Sequence, residues 1–126
     1  MIKLLFLALL VFSTCLVAET PDPSMASTVK SMEEMHRLVS SNSETRTYLW
    51  CAVVSSKLGM DDVYSLFIQK AQRKAKDDLG FIMALPYMMG FVDSEIMNMD
   101  KKNVGTVLGS LYSTTCMKQL LPQKSK

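Results

Sequence analysis

Seven consecutive residues, Tyr48-Leu49-Trp50-Cys51-Ala52-Val53-Val54, carry no charge and hold the one tryptophan and one of the three cysteines. A helix with one wet face needs only an apolar stripe, so an unbroken run marks an element covered on most sides. The rest of the chain is expected to be laid around it as helices. The run locates a core and names no chemistry.

The first residues bear on compartment. Met1-Ile2-Lys3 is a short positive segment, Leu4 to Phe12 is unbroken and apolar, and Val17-Ala18 precedes Glu19-Thr20-Pro21 with a small residue where a signal peptidase cuts. We read residues 1–18 as a secretory signal peptide and the destination as periplasmic or secreted. The apolar stretch is shorter than the roughly 20 residues of a spanning helix, which argues against a retained anchor. Cys15 follows an apolar run as an acylated cysteine does, but Thr14 stands where a lipoprotein signal places a small residue.

Cleavage at Ala18 leaves Cys51 and Cys116, and an even count in an oxidising compartment predicts a disulfide. Of 14 Lys+Arg and 12 Asp+Glu, cleavage removes only Lys3. A near-neutral chain has no general field to gather nucleic acid or an anionic membrane, so no nucleic-acid partner is expected; no membrane span is expected after cleavage, because the remaining apolar segments are short. At 126 residues one domain is expected.

Residues 19–24, with Pro21 and Pro23, read as an extended leader. Met25, Val29, Met32, Met35 and Val39 recur at helical spacing, and the spacing predicts a helix over about 25–40. Within it Ser31-Met32-Glu33-Glu34 has the form of a capping box, a local conflict resolved in favour of one helix. Ser40 to Ser43 is a polar break holding the cap of the central helix, about Glu44 to Leu58, which Gly59 ends. Asp61 and Asp62 open a third helix whose face runs Val63, Tyr64, Phe67, Ile68, Ala71, Ala75 and Leu79, with Gly80 as its stop. Leu79 to Val92 reads as core, too short to cross a bilayer. Pro86 suits a first turn, so the fourth helix is expected over Pro86 to Asn98, after a turn at Phe81 to Leu85. The last spans about Asn103 to Leu121, and 122–126 form a loose tail. The predicted fold class is all-α, an irregular bundle of about five helices, sequential ones antiparallel, with one disulfide between the central and last helices.

Gly105, Gly109, Tyr112 and Cys116 fall on one helical stripe, opposite Tyr48, Cys51, Ser55 and Leu58. Glycine is costly inside a helix, so the pair is expected to allow close packing. Met32, Met35 and His36 share a helical turn, and thioether plus imidazole suits Cu(I); a periplasmic copper-handling protein is the alternative function. Met83, Met88, Met89, Met97 and Met99 lie in or beside apolar runs, where methionine fills cores or adaptable binding surfaces. Catalysis has little support: His36 is the sole histidine and the carboxylates cluster at helix ends. No cofactor is called for. The expected function is non-catalytic binding of another envelope or extracellular protein, as an inhibitor, immunity protein or chaperone, through the methionine-rich segment.

Overall fold

Asn42 opens the central element. Its side chain accepts the Thr45 amide at 3.0 Å, capping a helix over Ser43–Lys57. At the other end Gly59 takes φ +73°, the left-handed conformation that ends a helix. There the Met60 amide returns to the Ser55 carbonyl at 2.9 Å and the Gly59 amide to Ser56 at 3.0 Å. Tyr48, Leu49 and every residue from Cys51 to Ser55 are buried, as expected of a helix covered on most sides. Trp50 is only half-buried.

The computed structural model describes residues 22–122. The signal peptide, Cys15 and the first residues of the leader lie outside them, as does most of the tail. In chain order the helices are α1 (Pro23–His36), α2 (Ser43–Lys57), α3 (Asp61–Gln72), α4 (Asp78–Met97), α5 (Val104–Leu111) and α6 (Met117–Leu120). A widened π turn over Arg37–Ser41 prolongs α1, and another over Tyr112–Cys116 joins α5 to α6. These are five helical runs, and no strand occurs among the described residues. Cys51 on α2 and Cys116 at the end of the second π turn form the expected disulfide, with Cα atoms 5.5 Å apart.

Several boundaries differ from expectation for tertiary reasons. α1 starts at Pro23, because Asp22 caps it through the Ser24 amide at 2.9 Å and proline suits the first helical position. α3 stops at Gln72 rather than Gly80. The backbone beyond it is claimed from α1 and the π turn that follows: Arg37 donates to the Lys74 carbonyl at 3.4 Å, and Glu34 accepts the Lys76 amide at 3.0 Å. Asp77 then caps α4 through the Leu79 and Gly80 amides, so Gly80 lies in the first turn of α4 and ends nothing. An added Cβ at Gly80 would stand 2.9 Å from the Ser31 carbonyl oxygen, so this glycine is a point of close approach between α1 and α4.

Pro86 sits inside α4 rather than at its start. An interior proline loses one hydrogen bond and costs about 3 kcal/mol. Phe81, Ala84, Met88 and Val92 form a buried stripe on both sides of it, and continuous burial holds the helix together across the break. Leu79 belongs to this helix and is exposed, while Phe67 and Ala71 carry the buried face of α3. At twenty residues α4 is long and apolar enough, by length and composition alone, to cross a membrane, unlike the shorter segment expected; 28% of its most apolar window is buried.

Packing order also differs from simple succession. α2 packs on α3 and α4, whereas α1 packs on α4, its neighbour in space and not in sequence. The Ser31 hydroxyl donates to Asp77 at 2.8 Å and Lys57 pairs with Asp93 at 2.6 Å, fixing α4 against α1 and α2. Lys70 on α3 donates to the Gln119 carbonyl of α6 at 2.7 Å and lies 5.5 Å from the centre of the Tyr48 ring. The Tyr48 hydroxyl donates to Glu44 at 2.7 Å, and burial first, then this bond, pushes its pKa up to about 12.

One buried group is poorly provided for. Thr45 is fully buried and its hydroxyl has no hydrogen-bond partner among the described residues. A buried hydroxyl left unpaired costs about 1 to 3 kcal/mol, so Thr45→Val is expected to stabilise the fold by about 1 kcal/mol. Urea denaturation measures it, and a lower midpoint for the variant would contradict the assignment.

Candidate functional site

The disulfide ties α2 to the segment after α5 at Cys116, and beyond that tie α5 and α4 form no packed seam. Among the residues of α5 only Leu108 is buried. Gly105 and Gly109 do not mediate close packing: a Cβ added to either would meet nothing within 4 Å. The π turn explains the misplacement, since an extra residue in one turn rotates everything before it relative to Cys116 and takes the glycines off the stripe facing α2.

The space left between α4 and α5 is an apolar groove floored by α2. Its larger part, about 490 Å³, is lined by Arg46, Thr47 and Trp50 of α2, Met88 and Phe91 of α4, Leu111 of α5, and Thr115. A second part, about 190 Å³, continues past Trp50, Phe91 and Leu111 to Val92, Glu95, Ile96, Met99 and Leu108. The three shared residues make these two ends of one trough. Trp50 and Thr115 adjoin Cys51 and Cys116 in sequence, so the disulfide sets the distance between floor and far wall.

Charge marks the two ends with opposite signs. Arg46 stands at one, its guanidinium 3.5 Å from the Ser40 carbonyl and without a carboxylate partner among the described residues. Glu95 stands at the other, likewise unpaired among them. Asp93, two residues before Glu95 and so on another face of α4, is paired with Lys57.

The methionines expected to bind are divided by the fold. Met88 is buried and reaches the wall of the larger part, and Met99 lines the smaller. Met83 is half-buried, and Met89 and Met97 are exposed on α4 outside the groove lining. The aromatic residues that dominate the trough, Trp50 and Phe91, are not among the binding residues expected from the sequence. Trp50 sits in a run that reads as core, and only the gap beyond α4 exposes one side of it. Phe91 lies beside the buried stripe of α4, next to Val92, and is an apolar residue left outside the core.

The copper set Met32, Met35 and His36 is split likewise. Met35 packs against the core, Met32 is exposed, and His36 is exposed with Ser40 beside its ring. Among the described residues no group of three His, Cys, Asp or Glu side chains is placed to hold a metal ion. Several carboxylates are structural: Asp22 and Asp77 cap helices, Glu34 pairs with Arg37, and Glu44 accepts from Tyr48 and pairs with Lys74 at 3.2 Å. Asp61 and Asp62 lie in the first turn of α3, complementing its dipole.

Compared with protein-family models, with curated proteins and with solved structures, the chain matches none. Fold and groove alone define its class: a small all-α protein, stapled by one disulfide, with an apolar trough beside its single tryptophan.

Proposed function

We propose that this is an exported, non-catalytic protein that binds another protein of the envelope or extracellular space, taking an apolar segment of that partner into the trough beside Trp50. One observation carries the reading: the only tryptophan, on the floor, and an exposed phenylalanine, on the α4 wall, both line a continuous apolar groove. Contiguous exposed apolar surface is uncommon on a protein without partners, and large aromatic side chains carry much of the energy of protein interfaces. Export is supported by the positive, apolar and small-residue succession before Glu19 together with the disulfide. An inhibitor, immunity or chaperone-like role fits such a groove.

The test is capture from the envelope or secreted fraction with tagged protein, comparing wild type with Phe91→Ser and, as a control on exposed α4 surface outside the groove, Ile82→Ser. One partner is expected to be retained by wild type and Ile82→Ser and weakened about tenfold or more by Phe91→Ser, the size of effect of losing an aromatic anchor. Equal retention by Phe91→Ser overturns the groove as the docking site. Intact mass of the exported form, expected to begin near Glu19, tests the localisation.

A further inference from the structure

Resting on that reading, we infer that the groove takes an amphipathic helix of two to three turns, with an acidic residue at one end meeting Arg46 and a basic residue at the other meeting Glu95. The wall of α4 from Met88 to Ile96 rises through eight steps, about 12 Å of helix, before Met99 extends it. That length matches two to three turns, with apolar anchors every third or fourth residue, the pattern by which a helix fills a hydrophobic groove. The described residues offer no sheet edge to which an extended peptide could add.

The end charges decide between occupants. Arg46 and Glu95 are both without ion-pair partners among the described residues, and they stand at opposite ends. A single-chain fatty acid satisfies Arg46 with its carboxylate but runs its tail toward Glu95, leaving that charge facing hydrocarbon. A helix with one acidic and one basic end satisfies both, and the pairing gives it one direction of entry.

The test uses purified oxidised protein and a fourteen-residue helical peptide whose leucines at i, i+3, i+7 and i+10 cover just under three turns, with glutamates and lysines flanking them in its first and last turns and a spin label at the acidic end. Trp50, the only tryptophan, reports binding by fluorescence. Arg46→Glu and Glu95→Lys are each expected to weaken binding by roughly tenfold at low salt, less at high salt, and the double variant to regain most of it. In wild type the label should broaden resonances of Thr47 and Thr115; in the double variant, those of Met99. Single variants that bind as wild type overturn the charge pairing, while loss of binding on Phe91→Ser in the same series keeps the groove reading standing. If the peptide does not bind wild type, or Phe91→Ser binds it equally, the groove reading itself fails. Dodecanoate changing the Trp50 signal at lower concentration than the peptide overturns the helix in favour of a lipid. A dimer in sedimentation whose Trp50 no longer responds overturns it in favour of a second copy.

Discussion

Replacing Cys51 and Cys116 together by alanine is expected to lower the stability of the domain by about 4 kcal/mol. The bond closes a loop spanning 65 positions, and in the chain-entropy model a loop of that length removes denatured-state freedom worth about this much. Typical domains are stable by about 5 to 15 kcal/mol, so the loss is a large share. The damage should be local before it is global. α5 buries only Leu108, and α6 is otherwise tied to α3 by the Lys70 contact to Gln119. Amide exchange in 104–120 of the variant should therefore quicken well ahead of α2 and α3, and the groove should lose its far wall. Guanidinium unfolding gives the total and exchange mass spectrometry the order. An unchanged midpoint, or two reactive thiols per chain in the unfolded unreduced wild type, refutes the staple.

Glu34→Gln is the second large effect. Glu34 is buried against Gly80, makes two 2.6 Å contacts to the Arg37 guanidinium and accepts the Lys76 amide. The hydrogen bond from Arg37 is the main cause that lowers its pKa from 4.5 to about 2, against the opposing effect of burial. Because the folded value lies below the unfolded one, the stabilisation is fully present above about pH 4.5 and is lost as pH falls toward 2. Such a shift corresponds to about 3 kcal/mol at most, and we discount it to about 2 because Arg37 is partly open to water. Near pH 7 the variant should be weaker by that amount. Asp22, Glu44 and Asp77 also have lowered pKa values, each chiefly through a hydrogen bond, so wild type itself should weaken in acid. The difference between wild type and variant isolates Glu34: it should shrink between pH 4.5 and 2. A difference constant across that window removes Glu34 from the linkage.

The same residue shows where local reading stops. Ser31 and Glu34 have the spacing of a capping box, and both are instead spent on the chain 46 and 42 positions later, at Asp77 and Lys76. Their side chains chose tertiary partners over the nearby backbone. With Arg37 they hold the 73–77 connection in place, which is why α3 ends early and α4 begins before Pro86.

What the sequence determines by itself is what short-range physics and counting decide. Helical periodicity is a property of consecutive residues, so the all-α class and the buried face of α3 from Val63 to Ala71 are legible in the chain. The same holds for a cap within the Ser40 to Ser43 break, which Asn42 supplies, and for the Gly59 stop, since each rests on one side chain or one φ angle. The disulfide follows from counting cysteines once a signal peptide is read. The tertiary structure alone decides features that depend on where a distant element lies. Pro86 stays inside α4 because burial on both sides outweighs a lost hydrogen bond, and a π turn takes Gly105 and Gly109 off the packed stripe. The groove belongs to this second group: it is the gap between α4 and α5, two helices that a disulfide on a third keeps from closing, and no local pattern encodes a gap.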